Sequence, residues 1–191
     1  MDVVVYCASS EQAPQHYRDT AHRLGRLLAE SGHGVVFGGG RRGSMGALAA
    51  GALEAGGRTH GVIPGFMRER EWAHEGLCEL EVVPDMHTRK RRMLELSQAV
   101  IALPGGCGTF EELLEAVTWK RLGKLPHPVL IVDPTDYYRP LLELFERSID
   151  EHFMAQQHGE MWTVVRDLED VPRLLAETPP WPADAIDFAQ H

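Results

Sequence analysis

The chain is short of cysteine, short of positive charge relative to negative, and without any apolar run approaching the length of a membrane span. Each shortage removes a class of protein. The three cysteines, Cys7, Cys78 and Cys107, are odd in number and far apart, with none of the paired spacings of zinc sites or disulfide frameworks, so reduced thiols are expected. Nineteen basic residues against 28 acidic ones leave a formal charge of −9. That balance argues against a nucleic-acid partner held by phosphate neutralisation over a broad face, but a small anion needs only a local pocket. The N-terminus, Met-Asp-Val-Val-Val-Tyr, has an acid where a signal peptide wants a cation. A cytoplasmic protein with no membrane partner is the expectation. The 10 histidines show no metal-site spacing, and no metal is expected.

A length of 191 residues, 43% of them hydrophobic and 25% charged, suits one globular domain with a full core. Apolar runs at 3–8, 34–37, 59–63, 80–83, 99–103, 129–132 and 162–165 read as strands. Helical stretches at about 14–31, 44–55, 86–97, 110–122, 137–152 and 168–177 separate them, and the polar segment 65–76 is ambiguous. Strict strand and helix alternation predicts an α/β, Rossmann-like fold, a doubly wound parallel sheet in a single domain spanning residues 1–177. The remainder, 178–191, carries Pro179, Pro180 and Pro182, which rule out a long helix and predict a tail that wraps a neighbour or is disordered. No internal repeat and no low-complexity segment is visible.

Open parallel sheets bind ligands beyond the carboxyl ends of their strands. Two glycine clusters fall there, Gly38–Gly43 and Gly105–Gly108, each running straight into a helix. Backbone N–H groups without β-carbons around them, at a helix N-terminus, suit a phosphate. The first cluster also fits a dinucleotide fingerprint, but the following strand ends Val62-Ile63-Pro64, without the acid that a ribose would need. The second is no P-loop, since no Gly-Lys-Ser or Gly-Lys-Thr follows. Beyond it come Glu111, Glu112 and Glu115, the first two expected in the opening turn of a helix. The preceding helix offers Arg89-Lys90-Arg91-Arg92, of which about two can face one site, with Arg91 or Arg92 left in solvent.

Gly38-Gly39-Gly40 with Gly43-Ser44-Met45-Gly46, then Met86-His87-Thr88-Arg89-Lys90, then Pro104-Gly105-Gly106-Cys107-Gly108-Thr109-Phe110-Glu111-Glu112, together resemble the LONELY GUY family of cytokinin-activating phosphoribohydrolases. Its bacterial and fungal members carry an older label, lysine decarboxylase. The resemblance runs from the Cys7-Ala8-Ser9-Ser10 turn to the helix after Tyr138. It implies that Arg89 and Glu112 are the catalytic pair, and that Gly105, Gly106, Gly108 and Thr109 hold a 5′-phosphate. Ser10 and Gly39 would help close the pocket, and Met86 and Lys90 would line the nucleotide site. Thr88, where many members have an acid, and Ser44, where leucine is common, depart from the family pattern without removing a catalytic group.

The implied reaction is hydrolysis of the N-glycosidic bond of AMP or an N6-substituted AMP, giving free base and ribose 5-phosphate, with no cofactor. A carboxylate beside the ribose stabilises an oxocarbenium-like transition state, and an adjacent guanidinium is expected to keep it ionised and aimed. The alternatives are a 5′-nucleotide nucleosidase of wider base range and a non-hydrolytic nucleotide or cofactor carrier of the same fold. Pyridoxal phosphate chemistry finds no supporting site, Cys107 occupies a variable position of the motif, and His87 reads as a structural helix residue. Apolar Leu113, Leu114, Val117 and Trp119 exceed what one helix face needs, so a homodimer with the 110–122 helix near its interface is expected, as the resemblance also implies.

Overall fold

The first strand, β1 (Asp2–Tyr6), is Asp-Val-Val-Val-Tyr, and all four residues after the aspartate are buried. A strand apolar on both faces needs partners on both edges and helices above and below. A computed structural model, which describes residues 1–70 and 72–189, shows how they are supplied. In chain order the elements are α1 (Gln15–Glu30), β2 (Gly34–Phe37), α2 (Gly43–Glu54), β3 (Thr59–Pro64), the single turn α3 (Gly65–Arg68), β4 (Glu79–Val83) and α4 (Met86–Glu95). Then follow β5 (Ala99–Ala102), α5 (Cys107–Arg121), β6 (Val129–Val132), α6 (Arg139–Asp150), β7 (Thr163–Val165) and α7 (Val171–Glu177).

The seven strands form one sheet in the order β4-β3-β2-β1-β5-β6-β7, with every pairing parallel. β1 lies between β2 and β5, Val3 facing Val35 on one side and Ala99 on the other. Alternation then divides the core. Val3 and Val5 join Leu24 of α1, Leu48 of α2 and Val171 of α7 on one face. Val4 and Tyr6 join Met93 of α4, Leu113 of α5 and Phe145 of α6 on the other. The chain works outward from β1 to β4 and then crosses back to β5, so the direction of winding reverses beside β1. Such a reversal leaves a crevice at the carboxyl edge, where the loops after neighbouring strands diverge.

The expected alternation is present, and the boundaries shift. The stretch expected as one helix at 168–177 is a 3₁₀ turn (Leu168–Asp170) followed by α7, because Pro172 near the start of α7 is tolerated only in a first turn. More consequentially, α5 begins at Cys107, three residues before the expected start at 110. Glu111 and Glu112 therefore stand in its second turn, not its first, and are not dipole partners of the helix N-terminus.

The ambiguous segment contains α3 and a bridge from Ala73 back to Gly40. The proline-rich residues after α7 turn back over the C-terminal end of α5, through a 3₁₀ segment (Ala183–Phe188). Trp181 N–H donates to the Pro126 carbonyl at 2.8 Å, and Arg121 donates to the Ala189 carbonyl at 2.5 Å. The last two residues of the expected tail, 190 and 191, lie outside the described residues. Among the described residues no helix is long and apolar enough to cross a membrane.

Candidate active site

α4 starts at a cap: the Asp85 carboxylate accepts the Thr88 N–H at 2.8 Å. Because a helix turns successive side chains around its axis, the four cations that follow separate. Arg89 and Lys90 point inward, each 5% exposed. Arg91 pairs loosely with Glu95, and Arg92 grips Glu81 at 2.9 and 3.1 Å. Two of the four are thus buried, and Arg91 is the most exposed of them.

Arg89 is fixed by two carbonyls, one in β3 and one just beyond β2. Nε donates to Val62 O of β3 at 3.0 Å and Nη2 to Gly38 O after β2 at 2.8 Å. A β-carbon on Gly38 would lie 1.8 Å from Nη2, so glycine at this position is the room the guanidinium occupies. Nη1 is left toward the crevice, 3.8 Å from Met86 Sδ and 4.0 Å from Glu112 Oε1. The last separation is an ion pair and too long for a hydrogen bond.

Glu112, on α5, is also 5% exposed. Burial pushes its carboxyl up from 4.5 to about 7, outweighing the downward pull of Arg89. Arg89 was expected to keep this group ionised; it moderates the cost of burying the charge and does not cancel it. Lys90, the expected nucleotide-lining lysine, has its ammonium in ion pairs with Glu111 and with Glu115, the second at 3.3 Å. Burial pulls its pKa down, but those two hydrogen bonds prevail and hold it above its ordinary value. Lys90 thus neutralises the acids that flank Glu112.

The β5–α5 loop supplies the other half. Gly106 caps α5 with no side-chain hydrogen bond, which leaves the helix N-terminus without a side-chain partner of its own. Gly105 is packed: a β-carbon there would lie 2.2 Å from Thr109 Oγ1. Gly106 and Gly108 have nothing within 4 Å of an added β-carbon and stay exposed, open for a ligand to approach the backbone. Of the four residues expected around a phosphate, two are therefore open and two, Gly105 and buried Thr109, build the turn.

Next to Arg89 lies a cavity of about 260 Å³, lined by Ser9, Gly38, Gly40, Met45, Ile63 and Trp72 among others. Gly39, expected in the pocket, turns its α-carbon toward β3, where an added β-carbon would meet Leu80, Gly61 and Ile63. Its φ of +69° and its carbonyl, which accepts His74 N–H, shape the loop that Gly38 and Gly40 present. Ser10 is exposed and sits against Gly43, with its hydroxyl accepting the Gln12 N–H at 3.2 Å. Cys107 is exposed at the start of α5, and Cys7, just after β1, is buried, its thiol driven up by burial. His87 is exposed. Among the described residues no group of three or more His, Cys, Asp or Glu is placed to hold a metal.

Residues 45–175 match a family model described as possible lysine decarboxylase, a span that includes α4 and the whole 104–112 segment. A cytokinin riboside 5′-monophosphate phosphoribohydrolase of Rhodococcoides fascians is 44% identical over 87% of this chain and 85% of its own length. The chain belongs to the LONELY GUY family. A second member, LOG3 of Arabidopsis thaliana, a cytokinin riboside 5′-monophosphate phosphoribohydrolase, is 35% identical over 93% of this chain and 83% of its own. The LONELY GUY fold extends further than its sequence pattern. A molybdenum cofactor carrier protein of Chlamydomonas reinhardtii superposes with a TM-score of 0.71 at 23% identity, over 92% of this chain and 96% of that one. That likeness is one of fold.

Schiff-base chemistry needs a lysine, and this LONELY GUY chain has three. Lys90 is locked between two glutamates, Lys120 is 2% exposed with its ammonium on the His127 carbonyl, and Lys124 borders a different hollow. Residues outside the family motifs also bear on the site. Tyr137 and Tyr138, after β6, send their hydroxyls to Gly105 O at 2.6 Å and Leu103 O at 2.7 Å. The Asp133-Pro134 step at a strand end signals a turn in the sequence, but not where its tyrosines reach.

Proposed function

We propose that this site hydrolyses the N-glycosidic bond of a nucleoside 5′-monophosphate, AMP or N6-substituted AMP, with Arg89 and Glu112 as the catalytic pair. The observation that carries this is a buried guanidinium and a buried carboxylate 4.0 Å apart, on the carboxyl edge of the sheet, beside a glycine-lined helix N-terminus. The open N–H groups at Gly106 and Gly108 suit the 5′-phosphate, and the helix dipole adds favourable potential there. The ribose then falls between that loop and Glu112, and the base toward the cavity beside Met45 and Trp72.

The bond from C1′ to the base nitrogen breaks as positive charge spreads over C1′ and the ring oxygen. Ionised Glu112 stabilises that charge and takes a proton from the attacking water, whose oxygen becomes the anomeric hydroxyl of ribose 5-phosphate. The departing base takes up one proton, which closes the balance with water as the only co-reactant. Arg89, immobilised by Val62 O and Gly38 O, keeps the carboxylate aimed.

Phosphate binding remote from the broken bond positions the ribose, so nucleosides should turn over at least about tenfold less efficiently than their monophosphates. Incubation with AMP, N6-isopentenyl-AMP and the matching nucleosides, following free base and ribose 5-phosphate, tests this. Release from the monophosphates supports the hydrolase; binding of AMP without release would replace it with a carrier.

A cytoplasmic location fits a nucleotide substrate and three free thiols. A homodimer fits the exposed apolar side chains of α5: Leu114 is 40% and Trp119 45% exposed, beside a hollow of about 790 Å³ between α4 and α5. A stable dimer buries about 1,200–2,000 Å² in total, and the α5 faces of the two copies would lie at its centre. Light scattering should give twice the chain mass at micromolar concentration, and Trp119→Glu should return the monomer. A wild-type monomer would end this part of the proposal.

A further inference from the structure

The β6–α6 loop holds the proposed phosphate loop in shape without any residue of its own in the family motifs. Asp133, at the end of β6, is wholly buried, and its two carboxylate oxygens accept Tyr137 N–H at 2.7 Å and Tyr138 N–H at 3.0 Å. Arg166 clamps the same aspartate from the β7 side, donating to its carbonyl at 2.8 Å and to its carboxylate at 3.1 Å. A second contact from Arg166 to Asp136, at 2.5 Å, fixes the turn where Asp136 adopts a φ of +60°. The two tyrosines are thereby aimed back at the β5–α5 loop.

Their hydroxyls meet peptide groups that differ in one respect. Tyr138 O–H donates to Leu103 O, whose peptide leads into Pro104 and carries no N–H. Tyr137 O–H donates to Gly105 O, whose peptide carries the Gly106 N–H. In a trans peptide the carbonyl and N–H point in opposite directions, and no cis bond occurs among the described residues. Holding Gly105 O on one side therefore aims the Gly106 N–H away from Tyr137. Neither Gly105 nor Gly106 has a side chain to hold this peptide, and Gly106 has open space around it, so the Tyr137 hydroxyl supplies a hold from outside the loop. Tyr137 is itself braced, stacked on Phe110 at 6.3 Å and edge-on to Tyr17 of α1 at 5.7 Å.

We infer that Tyr137 is a positioning residue for 5′-phosphate binding, orienting the Gly105–Gly106 peptide through its hydroxyl so that the Gly106 N–H is presented to the anion. This rests on the placement of the phosphate at the β5–α5 loop proposed above. The benefit is preorganisation: a donor already aimed needs no ordering when the ligand arrives. Removing it weakens substrate and transition state alike, since the phosphate is far from the bond that breaks.

Wild type, Tyr137→Phe and Tyr138→Phe are compared by steady-state kinetics on AMP, calorimetric titration with AMP and thermal melting. Tyr137→Phe should raise KM and Kd by about five- to tenfold with kcat within about twofold, the size of one hydrogen bond. Tyr138→Phe removes the same kind of bond from a peptide with no N–H to aim, and should lower Tm while leaving KM and Kd within about twofold. Unchanged KM and Kd in Tyr137→Phe, or an equal rise in Tyr138→Phe, would overturn the inference. Wild type that binds AMP without cleaving it would remove the hydrolase and leave the Kd contrast to judge Tyr137; wild type that does not bind AMP removes both.

Discussion

Glu112→Gln is expected to lower kcat on AMP by about 10²–10⁴-fold, the span of a lost acid–base or charge-stabilising group, while AMP affinity stays within about threefold. Glutamine keeps the size and planarity of the side chain, so Leu113 and Ala116 beside it on α5 remain packed. What disappears is the charge at the position where ribosyl cation character develops. The phosphate loop is untouched, and binding and chemistry separate cleanly: chromatography of ribose 5-phosphate reports turnover, and calorimetry reports affinity. Full turnover with ordinary binding would remove Glu112 from the mechanism.

The same substitution should stabilise the protein, and only above mildly acid pH. The folded-state pKa of Glu112 is raised from 4.5 to about 7 by burial. Below the ordinary value both folded and unfolded chains hold the proton, and burial carries no charge penalty. Between the two values the unfolded chain releases the proton while the folded one keeps it, so stability falls as pH rises, by about 1.4 kcal/mol per unit. Above about pH 7 the penalty is complete, about 3 kcal/mol.

Glutamine does not titrate. Urea unfolding should therefore show Glu112→Gln more stable than wild type by up to about 3 kcal/mol at pH 8 and by little at pH 4.5. An equal difference at the two pH values would show that Glu112 does not carry a raised pKa. Turnover has the opposite dependence, rising through about pH 7 as the carboxylate forms. Stability given up at this position is the counterpart of the chemistry proposed for it.

How much of this was visible in the chain itself differs between layers. The parallel sheet was legible because strands such as Val-Val-Val-Tyr and Ala-Val-Ile-Ala are apolar on both faces, a pattern that only a two-sided sheet accommodates. The glycine loops were legible because each runs into a helix. The start of α5 was not: Gly106, Cys107 and Gly108 look like loop, and α5 tolerates them because its packing begins only at Thr109 and Glu112. Arg89 and Glu112 were found by resemblance, but the anchoring carbonyls of Val62 and Gly38 lie 27 and 51 residues away and have no side-chain signature. Tyr137 is in the same position, since its contact with Gly105 spans 32 residues and is made to backbone. The loss of full ionisation at Glu112 depends on burial, which no motif encodes.

The sheet order has a consequence for how the enzyme comes into being. β1 pairs with β2, made soon after it, and with β5, made almost 100 residues later. Until β5 emerges one flank of β1 is bare, and the molecule consists of a wing that already contains Arg89 and both of its carbonyl anchors but not Glu112. Adding β5 and α5 closes that seam and brings the acid to the cation, so the pair spans both wings of the sheet and neither wing holds it alone. A nucleotide gripped by the loops after β2 and β5 would then serve as a clasp across the join, tying the two wings of the sheet together.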